Sequence, residues 1–329
     1  MSTAAEFRNV SKRFGKKKNA LWALRDVSFS IAPGTTLGVV GESGSGKSTL
    51  ARIAVGLEHP TSGEVSVNGM SLNESRRERA SQMVFQDPAS SLNPHMTLLD
   101  SVREPLDAHH ERTATSERNE TARGYLREVG MSQDFDRRYP IALSGGQKQR
   151  SSIGRALTTL PPLVVCDEPV TALDVSIRAQ LLNLLRRLQA AHGLSFMYIS
   201  HDLTTVTYMS DQVLVLYLGA VMEIADVAAL VAAPAHPYTH ALMGAVPRMQ
   251  QGVQQRPSIR LLGDPPSPMN PPSGCSFSTR CPVAEPRCFE ETPPLRELDD
   301  GHQVACHLAP VSVELMRASQ QRIYDEADA

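Results

Sequence analysis

The sequence predicts an α/β fold in which helices cover both faces of a parallel sheet, followed by a proline- and cysteine-rich C-terminal extension. Three observations carry this. Short apolar runs alternate with helical stretches before residue 234, the pattern of strands joined by crossover helices. One of those runs ends in a glycine-rich turn that opens directly into a helix. Finally, 14 of the 23 prolines lie between Pro234 and Pro310. Helix interiors and central strands tolerate proline poorly, so that stretch must be mostly loops and short elements.

The elements follow in order. Residues 27–31 alternate as a strand does, and residues 36–40 are a short apolar run. Residues 48–57 read as a helix, with Lys16 to Lys18 upstream as a short basic cluster of the kind found in solvated turns. Residues 98–139 contain no convincing strand; their polar residues at helical spacing suggest a small helical insertion. Residues 163–166 and 196–199 are further buried-strand candidates, separated by a leucine-rich helix over 175–191.

Composition narrows the functions. Hydrophobic residues make up 41% and charged residues 21%, a globular balance. Lys+Arg total 33 against Asp+Glu 35, a net charge of −2, so there is no basic surplus of the kind a broad nucleic-acid footprint shows. No apolar run reaches the ~18 residues of a membrane span. The first ten residues carry no signal-peptide core, which points to the cytosol.

Gly41-Glu42-Ser43-Gly44-Ser45-Gly46-Lys47-Ser48 fills every position of G-x-x-x-x-G-K-[ST], between a strand and a helix. Glycines let backbone N–H groups turn inward around phosphate oxygens, and the helix start adds its positive end. Lys47 suits the β- and γ-phosphates and the Ser48 hydroxyl suits Mg²⁺, with Thr49 beside it. The run at 163–166 ends in Asp167 and Glu168. Acids at a C-terminal strand edge stand where an open α/β sheet binds its ligand. Asp167 would hold Mg²⁺, and Glu168 would orient or deprotonate an attacking water.

With those motifs in place, Leu143-Ser144-Gly145-Gly146-Gln147, 20 residues before Asp167, makes the chain resemble the ATP-binding-cassette (ABC) ATPases. The resemblance covers residues 5–230 and implies a RecA-like P-loop NTPase core with a helical subdomain at about 88–140, within a cassette over 1–235. It implies that Gln86 is the glutamine loop, a contributor to Mg²⁺ binding and a link to membrane subunits. Asp174 falls in the loop after the second carboxylate and His201 at the switch histidine. Phe14 stands where the family stacks a ring on adenine, with Trp22 as a rival. In the family, Ser144, Gly145, Gly146 and Gln147 face the γ-phosphate of a second subunit, so that two ATP molecules lie in a head-to-tail dimer.

Two further stretches narrow the resemblance. Residues 86–94 (QDPASSLNP) and His236-Pro237-Tyr238-Thr239 look like the ATPase subunits of oligopeptide and dipeptide importers, a group that includes nickel and glutathione importers. That implies ATP-driven peptide import at the cytoplasmic face of the membrane. The implied partners are two permease subunits, an extracytoplasmic peptide-binding protein and a second cassette, expected to be a paralogue. The alternative is a soluble ABC ATPase acting on nucleic acid or ribosomes; the chain has neither the second cassette nor the long coiled-coil insertion usual there. In the extension, residues 236–329, Cys275, Cys281, Cys288 and Cys306 resemble the cysteine-rich tail that the group associates with a [4Fe-4S] cluster. Four thiolates hold either such a cluster or zinc. The wide spacings favour the cluster, while His302 and His307 beside Cys306 keep zinc open. Cys166 reads as a small buried hydrophobe.

Overall fold

The computed structural model describes residues 3–15, 20–108, 113–244, 259, 261, 263–299 and 301–327. The basic cluster at Lys16 to Lys18 lies outside them. Twelve described strands run in chain order: β1 (Ala5–Phe14), β2 (Leu21–Ile31), β3 (Thr36–Val40), β4 (Ser62–Val67), β5 (Met70–Ser71), β6 (Ser81–Val84), β7 (Leu163–Asp167), β8 (Ser195–Ile199), β9 (Gln212–Tyr217), β10 (Ala220–Asp226), β11 (Arg296–Asp299) and β12 (His302–Val304).

Eight of them form one sheet in the order β11-β12-β10-β9-β3-β8-β7-β6. From β9 to β6 the pairing is parallel, as the alternation of strands and helices demands. Beyond β9 it turns antiparallel. The remaining four form a separate antiparallel sheet, β2-β1-β4-β5. The strand expected at 27–31 is the end of the longer β2 in this second sheet. Alternation reports that a strand is half buried; it does not report its partner's direction.

The central strands are buried on both faces, and their period of two feeds two cores. Val164, Cys166, Phe196 and Tyr198 point to the side covered by the leucines of helix Val175–His192, by helix Gly145–Leu157 and by the helical insertion. Leu163, Val165, Met197 and Ile199 point the other way, against Leu50, Ile53 and Ala54 of helix Lys47–Ala54, which is sandwiched between the two sheets. Cys166 is fully buried in the first of these cores, as its apolar neighbours suggested.

The insertion is helical, with Leu98–Asp107 and Thr115–Glu128 packed on Gly145–Leu157. No strand occurs among its described residues. The extension does not stand apart. β12 pairs with β10 and so lengthens the main sheet. Glu223 of β10, fully buried, fastens the junction: its carboxylate accepts from the N–H groups of Ala235 (2.8 Å) and His236 (2.9 Å) and pairs with His302 Nε2 (2.7 Å). A third, smaller core of Val304, Val311 and Met316 lies beneath.

Candidate functional site: the phosphate loop and its surroundings

The loop after β3 closes tightly because of its glycines. Gly46 has φ 107°, and a Cβ there would lie 2.3 Å from the Ala23 carbonyl oxygen. At Gly41 (φ 156°) it would lie 2.1 Å from that of Leu216. Lys47 opens the helix and folds back over the loop, where its Nζ donates to the carbonyls of Gly41 (2.7 Å) and Glu42 (2.9 Å). Burial pushes its pKa down, opposed by the charges of Glu168, Asp167 and Glu42. Ser45 is buried beneath the loop, and its carbonyl accepts from the Gly219 N–H at 2.9 Å.

At the end of β7, Asp167 is buried, which raises its carboxyl pKa; the Ser48 hydroxyl hydrogen-bonds to it and opposes that shift. An exposed hydroxyl beside a buried carboxylate offers a pair of hard oxygen donors that suits Mg²⁺. Glu168 follows with φ 48°, left-handed backbone that costs a non-glycine residue on the order of 1–3 kcal/mol. The turn directs its carboxylate between two other expected residues. Glu168 Oε2 accepts from Gln86 Nε2 at 3.1 Å, and Oε1 lies 3.1 Å from His201 Nδ1. Gln86 comes from the segment after β6 and His201 from the segment after β8, so three parallel strand ends deliver these side chains to one edge.

Together these groups bound a cleft of about 500 Å³. Ser43, Gly44, Gly46, Lys47, Ser48 and Thr49 form one side; Gln86, Glu168 and His201 form another. Phe14 and Trp22 both line it, so the structure brings both rival rings to the site. Lys12 Nζ sits 4.8 Å from the Phe14 ring centre and the Arg13 guanidinium 5.6 Å from that of Trp22.

Ser144, Gly145, Gly146, Gln147 and Asp174 do not line this cleft. Ser144 and Gly145 are exposed at the start of helix Gly145–Leu157. Ser144 and Gln147 form a reciprocal cap: the Ser144 N–H donates to Gln147 Oε1 (2.9 Å) and the Gln147 N–H to Ser144 Oγ (3.3 Å). Asp174 is exposed beside Val175, itself 80% exposed.

Sequence reasoning missed the reach of the extension. Pro268 lines the cleft. The Tyr238 hydroxyl accepts from the Glu42 N–H at 2.9 Å, and Arg280 donates to the Glu42 carboxylate. These pairs are separated by roughly 200 residues of chain, and no local pattern signals them.

The cysteine expectation is corrected. Cys275, Cys281, Cys288 and Cys306 do meet, lining one small cavity with His236 and Phe277. Its free space is about 10 Å³, room for about one water. Among the described residues no group of three or more His, Cys, Asp or Glu is placed to hold a metal ion. The surroundings are those of a packed core. Cys275, Cys288 and Phe277 belong to the large core and Cys306 to the small one, with Cys281 at the seam. Burial pushes the thiols of Cys275 and Cys281 up to about 11 and about 12. Neither the [4Fe-4S] cluster nor zinc has support among the described residues.

A phosphate loop, a carboxylate pair at the sheet edge and a Ser-Gly-Gly-Gln helix start set apart from the cleft together define an ABC ATPase cassette. Residues 24–171 match the family described as ABC transporter, and residues 222–288 match the oligopeptide/dipeptide transporter C-terminal region. The chain is 46% identical over 321 residues to the oligopeptide transport ATP-binding protein AppF of Bacillus subtilis, covering 93% of this chain and 97% of that protein. It is 44% identical over 315 residues to the oligopeptide transport ATP-binding protein OppF of Haemophilus influenzae, covering 93% and 94%. Among solved structures, the dimeric ATP-binding cassette MJ0796, bound to ADP and phosphate in a post-hydrolysis state, superposes with a TM-score of 0.62 at 30% identity. That match covers 68% of this chain and 98% of the other. The chain belongs to the ATP-binding proteins of the oligopeptide/dipeptide ABC transporter family. No finding supports the nucleic-acid or ribosome alternative.

Proposed function

We propose that this chain binds and hydrolyses ATP to power import of dipeptides or oligopeptides through separate permease subunits. The observation that carries the reading is the Glu168 carboxylate held between Gln86 and His201 at the phosphate loop. The chain also bears the extension matched to oligopeptide/dipeptide transporters.

Each side chain has a task. The N–H groups of 43–49 and the Lys47 ammonium bind the phosphates of the substrate ATP. Ser48 and Asp167, with Gln86, hold Mg²⁺, which neutralises phosphate charge when bound. Glu168 accepts the proton of the attacking water, and Gln86 keeps its carboxylate in place. His201 Nδ1 contacts Glu168, which orients the imidazole toward the γ-phosphate. Phe14 stacks on the base, with Trp22 beside it.

The cassette over 1–235, including a helical subdomain at about 88–140, works with a second cassette. Ser144, Gly145, Gly146, Gln147 and Asp174 lie outside this chain's own cleft, where in this reading they close the cleft of a partner. That partner is a paralogue in this reading, giving a heterodimer.

Next to Gln86, a groove of about 340 Å³ is lined by Leu57, Met83, Phe85, Glu104 and Arg155. It joins the cassette to the helical insertion and suits a helix from a permease subunit, so that motion at the nucleotide is felt at the membrane. Among the described residues no helix is long and apolar enough to cross a membrane. The reading places the chain peripherally on the cytoplasmic face, under permeases served by an extracytoplasmic peptide-binding protein.

Nucleotide titration and phosphate release test the roles separately. Lys47→Ala should weaken ATP binding by at least about tenfold, the loss of one charge-assisted contact. Glu168→Gln should keep binding and lose about 100-fold or more in turnover. Normal hydrolysis by Glu168→Gln would refute the base assignment.

A further inference from the structure

Glu42 occupies a variable position of the phosphate loop. It places a carboxylate one residue after Gly41, in a segment built to attract anions, and like charges repel. The structure shows what offsets it. Arg280, 6% exposed and 238 residues further along the chain, directs Nη1 to both Glu42 oxygens, at 3.1 Å and 2.9 Å. The same Nη1 lies 3.3 Å from the Tyr217 hydroxyl. The Glu42 backbone is fixed as well, because its N–H donates to Tyr238 Oη. Tyr238 packs tilted and Tyr217 edge-on against Phe277, with ring centres 5.3 Å and 5.4 Å away. Phe277 and Arg280 thus sit on one short segment of the extension, between Cys275 and Cys281.

The link runs on to the binding lysine. The Glu42 carbonyl accepts from Lys47 Nζ, and the Glu42 charge acts on the Lys47 ammonium. Arg280 is therefore one residue removed from the group that grips the phosphates.

We propose that Arg280 is a positioning residue of the ATP site: by neutralising and orienting Glu42, the C-terminal extension keeps the phosphate loop able to bind the triphosphate. The extension then belongs to the nucleotide site, and an extension displaced from the cassette lowers ATP affinity without touching Glu168, Gln86 or His201.

The proposal separates charge from packing. Arg280→Gln leaves Glu42 uncompensated, and binding of a fluorescent ribose-labelled ATP with Mg²⁺ by the full chain should weaken about tenfold. The Michaelis constant for ATP should rise with it while kcat stays within about twofold, because the hydrolytic side chains are untouched. Arg280→Lys should recover most of the affinity, since a single nitrogen makes both contacts to Glu42. The double variant Arg280→Gln/Glu42→Gln should also recover most of it, because the repelling carboxylate is gone. Wild-type affinity in Arg280→Gln would overturn the proposal. So would a double variant that binds no better than Arg280→Gln, since the arginine would then act other than through Glu42. If Arg280→Gln does not fold, Arg280→Lys decides: an affinity within about threefold of wild type supports the proposal, and a loss as large as tenfold overturns it.

Discussion

Glu168 shows how a single backbone angle organises the chemistry. With φ at 48° the chain leaves β7 on a turn that a β-branched or bulky residue resists. The turn brings one carboxylate within 3.1 Å of both Gln86 and His201. Gly46 is the counterpart at the loop, where space and φ both require glycine. Gly46→Ala should cost at least about 1 kcal/mol of stability, because alanine does not fit the native φ, and should abolish tight nucleotide binding. Thermal melting and calorimetric titration with ADP check this; an alanine variant that binds and melts normally would show the loop is looser than its contacts imply. At this scale the sequence was readable where neighbours in the chain stay neighbours in the fold, as for the loop from Gly41 to Ser48 or for Asp167-Glu168 at the end of β7. The Glu42–Arg280 contact was not, because it depends on two segments meeting in space.

At the scale of elements, strands whose two faces are both apolar were legible from short Val, Ile and Leu runs, and helix Val175–His192 from its leucines. The antiparallel sheet β2-β1-β4-β5 was less so, since residues such as Lys12 and Arg13 in β1 obscure the alternation. The cysteines teach a related lesson. Their spacing in the sequence shows that thiols are available, but the space between them is set by packing around Phe277 and His236.

The docking of the extension has its own pH signature. The hydrogen bond to Glu223 raises the pKa of His302 above its ordinary 6.5. That stabilisation is complete below pH 6.5 and is lost as pH rises through the raised value. Burial alone would raise Glu223, but the bonds from His302, Ala235 and His236 outweigh it and hold its pKa below 4.5. This part is complete above pH 4.5 and is lost as pH falls through the lowered value. The melting-temperature difference between wild type and His302→Phe should therefore be largest between pH 4.5 and 6.5 and shrink on the alkaline side. A pH-independent difference would mean that His302 only fills space.

For the whole molecule, half of the machinery faces inward and half outward. The cleft collects the phosphate loop, Gln86, Glu168 and His201. Ser144, Gly145 and Asp174 stand exposed with Val175, outside that cleft. The groove beside Gln86 offers the route by which closure of two cassettes would move a permease. The most direct test of this account is ATP-dependent uptake of a labelled oligopeptide by vesicles carrying the assembled importer, with ATP supplied on the cassette side. Vesicles with the wild-type chain should accumulate peptide, and vesicles with Glu168→Gln should bind ATP but accumulate none. Uptake at the wild-type rate by Glu168→Gln, or wild-type vesicles that hydrolyse ATP without moving any peptide, would contradict it.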